Sequence, residues 1–249
     1  MNLYIDAFSG ISGDMLLGAL LDLGVDIEAL KQELQKLPIK SYTLTCEQTA
    51  KNGIWGTDFD VIIDEHEAQE ELAHHHHGRT YADIIKMIEG SSLSDNVKHN
   101  SLAIFAEIAK AEAKVHHKSI EEVHFHEVGA IDSIVDIVGN CIALELLNID
   151  KIIASPLTDG CGTISCAHGN MPVPVPAVMQ MRQGTSIPVN QRLDIHTELI
   201  TPTGMGIAKV LSSSFGAIPQ NAVIEKIGYG FGKRDTGNLN ALRVLLFSI

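Results

Sequence analysis

Between residues 123 and 136 the chain reads Val-His-Phe-His-Glu-Val-Gly-Ala-Ile-Asp-Ser-Ile-Val-Asp, which crowds imidazoles and carboxylates into one short span. In an extended backbone alternate side chains share a face, so His124 and His126 point together while Phe125 turns toward the core. Neutral imidazole is a good ligand for nickel, zinc and copper. Asp132 and Asp136 are spaced i, i+4 and share a face of the helix that follows, where they can complete a site or orient its histidines. With Glu127 between the two pairs, the chemistry offered is metal binding or acid/base work. The competing reading is structural: Asp132 favours the positive end of its helix, and the histidines are satisfied by hydrogen bonds.

A second imidazole group, His74, His75, His76 and His77, stands beside Glu65, His66, Glu67, Glu70 and Glu71. The neighbouring acids raise the local cation concentration, so the segment reads as a metal-collecting loop over residues 64–79 or as a solvated polar loop.

Asp6 ends a short apolar strand, and Ser9-Gly10-Ile11-Ser12-Gly13-Asp14 leads from it into a helix. Open α/β sheets usually hold ligands at such a turn, which makes Asp6, Ser9, Gly10, Gly13 and Asp14 candidate cofactor contacts. Backbone N–H groups there can hold a phosphate, although the loop is neither a Walker A motif nor the dinucleotide fingerprint. Asp14 repels a bare phosphate, so metal bridging stands beside plain N-capping by Ser12 or Asp14. Thr201 and Thr203, following Glu198, are either ligand contacts or the cap of a further helix. Cys161, Cys166 and His168 offer soft ligands, but without zinc-ribbon spacing, and buried cysteines are more often inert.

The elements that must carry these residues follow from periodicity. Strand patterns cover residues 2–6, 42–47, 55–63, 151–154, 162–166, 187–189, 222–227 and 241–247, with Asn52-Gly53 marking a tight hairpin turn. Helical spacing covers residues 15–23, 27–37, 81–88, 97–115, 131–147, 175–181 and 205–211. The expected class is α/β, with a mixed sheet, a β-hairpin and a helical middle third, in one main body. The proline-rich stretch 171–176 is too stiff for a central ladder and suits a helix start.

Composition bounds the partners. A net charge of -13 with no basic stripe argues against nucleic acid. Four cysteines fit no dense disulfide framework, and no apolar run is long enough to span a membrane, so the expected location is the cytoplasm.

Taken in order and spacing, the segment 6–15, the histidine run, the stretch 123–136, His168-Gly169 and Thr201-Pro202-Thr203-Gly204 resemble the nickel insertion family over nearly the whole chain. The resemblance implies a lyase-type metal chelatase that places nickel into pyridinium-3,5-bisthiocarboxylic acid mononucleotide. One carbon–nickel and two sulfur–nickel bonds form, giving the nickel-pincer cofactor of lactate racemase. It also implies consumption of cytidine triphosphate (CTP), with Mg or Mn, through a C-terminal nucleotide-associated domain that longer members carry. Residues 1–249 then read as the N-terminal region alone, an oligomer that works with that domain or a companion product. Within that scheme the His74–His77 run collects nickel. His124, His126 and His168 hold it, and Glu127 accepts the proton lost as metal meets carbon, with Asp132 and Asp136 as the further catalytic carboxylates. Two rivals remain: a nickel store or chaperone, and a hydrolase using a metal-bound water.

Overall fold

Alternation along the first strand sorts the core. Leu3 and Ile5 of β1 (Asn2–Asp6) enter the main apolar cluster, whereas Tyr4 joins a smaller cluster with Ile153, Leu245 and Phe247. Side chains of a strand alternate between faces, so these are the two sides of one sheet. The computed structural model describes residues 1–64, 79–123, 125, 130–166 and 169–249.

Among the described residues the main sheet has seven strands, in the order β2-β3-β10-β11-β1-β4-β9. These are β2 (Tyr42–Lys51), β3 (Ile54–Ile63), β10 (Val223–Phe231), β11 (Ala241–Ser248), β1, β4 (Lys151–Ala154) and β9 (Ser214–Phe215). It is mixed: β1 runs antiparallel to β11 and parallel to β4, and β3 runs parallel to β10. The β2–β3 hairpin turns at Asn52 and Gly53, both with positive φ, as the Asn-Gly pair predicts. Two small ribbons pair β5 (Leu157–Asp159) with β8 (Val189–Gln191) and β6 (Thr163–Cys166) with β7 (Gly169–Pro172). The proline-rich stretch thus contributes to a peripheral ribbon before α6 (Pro176–Arg182), which has proline in its first turn.

Helix α1 (Gly13–Asp22) lies across β10, and two glycines set how closely. A Cβ on Gly230 would stand 1.9 Å from the Met15 carbonyl oxygen, and one on Gly228 2.3 Å from that of Ala19. Helix α5 (Ile131–Leu146) buries side chains around most of its circumference, which makes it the central helix. Against it pack α1, α2 (Ile27–Leu34), α4 (Asp95–Val115) and α7 (Pro202–Leu211), and α3 (Tyr81–Gly90) packs on α4. On α4 the buried Val97, Ser101, Ile104, Phe105 and Ile108 keep the helical period that the sequence predicts.

The expected α/β class with a mixed sheet, hairpin and helical middle holds; the short strands β5, β7 and β9 were not expected from periodicity, which spans of two to four residues barely register, and the other differences lie at element ends. Helix α2 stops at Leu34, before Pro38, and β10 continues to Phe231. Helix α7 begins three residues earlier than its apolar spacing suggests, because Thr201 caps it. No described helix is long and apolar enough to cross a membrane.

Candidate active site

The loop after β1 begins helix α1 at an acid pair. Ser12 occupies the N-cap position in extended conformation, yet its hydroxyl donates to the Asp14 carboxylate instead of accepting from the helix. Gly13 is required by packing: a Cβ there would stand 2.6 Å from Cβ of Asp136 and 2.8 Å from its Oδ2. Asn140, one turn beyond Asp136 on α5, ties the two helices together. Its Nδ2 donates to the Gly13 carbonyl and to the Asp136 carbonyl, each at 2.8 Å.

A third segment closes on this junction. Ile11 N–H donates to the Leu199 carbonyl at 2.9 Å, and Thr201 N–H to the Ile11 carbonyl at 3.1 Å. Buried Asp159 holds the same segment, its Oδ1 accepting from the backbone N–H groups of Gly160, Leu199 and Ile200. Thr201 then caps α7, accepting from Gly204 N–H at 3.1 Å, with the Thr203 hydroxyl 2.8 Å from its own.

Between these pieces lies a cavity of about 290 Å³. Asp14, Asp60, Asp132, Asp136 and Glu198 give it five carboxylates, with Ser12, Ser133, Thr201 and Thr203 as hydroxyls and Lys233 as its cation. Lys233 also pairs with Asp58, and its Nζ stands 3.5 Å from Asp60. Glu198 is tied at 2.6 Å to Arg234, which also donates to the Glu198 carbonyl.

Electrostatics single out Asp136. Its burial pushes the carboxyl pKa well above the ordinary range, and the charges of Asp14, Asp132 and Asp60 push the same way, against a stabilising bond from the Asp14 backbone. Its Oδ1 is buried, with no hydrogen-bond partner among the described residues. Burial also raises Asp14, opposed chiefly by the Ser12 hydroxyl. A carboxylate so placed prefers either a proton or a cation.

Of the residues expected from sequence, the fold gathers Asp14, Asp132, Asp136, Thr201 and Thr203 around one cavity, with Gly13 directly beneath Asp136. Asp6, Ser9 and Gly10 are not in its wall. The Asp6 carboxylate is engaged by Arg243, its cross-strand neighbour on β11. Ser9 is buried, and Gly10, at φ +92, packs on the Leu199 carbonyl. The candidates His74, His75, His76, His77, His124, His126, Glu127 and His168 lie outside the described residues. Among the described residues no three His, Cys, Asp or Glu side chains are placed to hold a metal ion. Sequence reasoning missed Asp60, Ser133 and Lys233; the signals were the place of Ser133 beside Asp132 in the 123–136 stretch and the Lys233-Arg234 pair just after a strand.

The cavity can do two things with its own groups. Its negative lining attracts a cation, and Asp136 can take up a proton released inside it. Among the described residues the lining is predominantly acidic, which does not suit a bare triphosphate.

Residues 3–248 match the family model described as nickel insertion protein. A pyridinium-3,5-bisthiocarboxylic acid mononucleotide nickel insertion protein from Lactiplantibacillus plantarum is 62% identical, the match covering 98% of this chain and 61% of that relative. A protein of the same name from Acetivibrio thermocellus is 56% identical over 98% of this chain and 60% of its own length. A putative nickel insertion protein from Dictyoglomus thermophilum is 46% identical, over 97% and 59%. No solved structure matches. This chain therefore spans about three-fifths of the length of these relatives, and with that extent of match it belongs to the nickel insertion protein family.

Proposed function

We propose that this chain carries the metal-inserting centre of a nickel chelatase that acts on pyridinium-3,5-bisthiocarboxylic acid mononucleotide, with nickel as a substrate. The observation that carries the reading is the convergence of Asp14, Asp132, Asp136, Thr201 and Thr203, from three separate segments, on one acidic cavity. The names of the relatives supply the substrate.

In the reaction, the two thiocarboxylate sulfurs of the substrate take the cation and the ring carbon between them exchanges its hydrogen for nickel. The C–H electron pair becomes the carbon–nickel bond, and the hydrogen leaves as a proton. Asp136 is the described group suited to receive it, because burial and its acidic neighbours make its carboxylate a stronger base than one in water. Asp132, one turn before it on α5, and Asp14, opposite it, hold positive charge in the cavity, and the Thr201 and Thr203 hydroxyls orient the ligand. His124 and His126 present the metal, Glu127 serves as a second proton acceptor, and the histidine run collects nickel upstream. CTP with Mg or Mn acts through the additional region that the relatives possess, and no step here is routed through it.

The test supplies the chain with nickel, the mononucleotide, CTP and the additional region of a relative, and follows nickel in the small-molecule product by mass. Metallated product is expected. Nickel held by protein without any product would favour the store or chaperone.

A further inference from the structure

The geometry points to a second metal site, at the pair Cys161 and His196, which binds a borderline-soft divalent cation such as zinc or nickel. The Cys161 Sγ stands 3.5 Å from the His196 Nδ1, thirty-five residues on in the chain, and 3.5 Å from the Leu193 carbonyl oxygen. Thiolate sulfur binds such an ion at about 2.3 Å and imidazole nitrogen at about 2.0–2.1 Å, so a tetrahedral ion holds the two donor atoms about 3.5 Å apart. The observed gap is the one a bridging cation needs, with no backbone movement.

Rigid backbone sets that gap. Cys161 N–H donates to the Ile195 carbonyl at 2.8 Å. On one side of it, Gly160 lets the two segments touch: a Cβ there would stand 2.0 Å from the Thr197 carbonyl oxygen. On the other, Gly162 adopts φ +83, and a Cβ there would approach the His196 ring at 3.5 Å. Asp159 holds the same two segments from within by its bonds to Gly160, Leu199 and Ile200.

The pair is open to ligand. His196 is exposed and Cys161 half-buried, so a cation and further donors can reach the pair from solvent. On binding, the Cys161 S–H loses its proton to water and the sulfur lone pair forms the metal bond. His196 lies two residues before Glu198 of the acidic cavity, and Arg234 spans the interval by donating to Thr197 Oγ1 and to Glu198. A soft nitrogen–sulfur site thus adjoins a hard oxygen-lined one. Its occupancy does not depend on the insertion reading; delivery of nickel from it to the cavity would.

Cobalt(II) alone is the probe, because a thiolate–cobalt bond adds near-ultraviolet charge-transfer absorption that imidazole and carboxylate sites lack. With the full chain under reducing conditions, a saturating band is expected in the unsubstituted protein and in Cys166→Ser. It should be absent in Cys161→Ser and need at least tenfold more cobalt in His196→Gln, with all variants matched for thermal unfolding. Absence of the band from the unsubstituted protein, its survival in Cys161→Ser, or growth that never saturates would overturn the assignment. None of these outcomes bears on whether the cavity inserts nickel.

Discussion

At the residue scale the cavity turns on Asp136. Its raised pKa means that the folded chain holds this proton more firmly than the unfolded chain does. The resulting stabilisation is complete below the ordinary carboxylate value of 3.8 and is lost as pH rises through the folded value. Asp136→Asn cannot ionise, so it should melt at a higher temperature than the unsubstituted protein near neutral pH, with the gain shrinking as pH falls toward that ordinary value. Thermal unfolding across a pH series checks this; a lower melting temperature for the variant at neutral pH would show that the charge is compensated. Gly13→Ala should also be costly, on the order of 1–3 kcal/mol, because its Cβ meets that of Asp136 at 2.6 Å. Chemical denaturation reads it directly. The i, i+4 spacing of Asp132 and Asp136 was legible because helix geometry is local. Asp60 and Lys233 were not, since they reach the cavity through β3 and the turn after β10, whose parallel pairing joins residues far apart in sequence. Asp6 misled for the same reason: its partner Arg243 sits on a strand at the other end of the chain.

At the scale of elements, the site exists because three chain segments meet with almost no side-chain bulk between them. Helix α1 rests on β10 through Gly228 and Gly230, and a methyl group on Gly230 would stand 1.9 Å from a backbone oxygen that cannot swing away. Gly230→Ala should therefore destabilise the fold by about 1–3 kcal/mol or more, and by moving α1 should also move Asp14. Equilibrium unfolding measures the first effect, and a lost response of the Asp14 carboxyl to added cation, followed by nuclear magnetic resonance, the second. Strand, loop and helix around residues 2–23 were readable from period and glycine placement. The close approach of α1 to β10 was not, because a glycine in a strand pattern looks alike whether it faces solvent or a helix backbone. Helix α7 starts at Pro202 because Thr201 caps it, and the same residue lines the cavity wall.

At the scale of the molecule, charge and extent decide what the chain can do. A net charge of -13 and a carboxylate-lined cavity favour cations over free phosphates, which fits metal capture. Replacing His74–His77 by serine should lower the number of nickel ions bound per chain in a calorimetric titration while leaving the insertion rate at saturating nickel unchanged. A lost rate would place the histidine run in the transfer step itself. Proton uptake by the buried carboxylate of α5 as nickel replaces hydrogen on the ring is tested by the single-turnover rate of insertion in Asp136→Asn, with nickel affinity measured alongside. The expected result is a rate lower by about 10²–10⁴-fold with affinity within a few fold of the unsubstituted protein, since general-base groups contribute about that much. An unchanged rate in a folded, nickel-binding variant would contradict it.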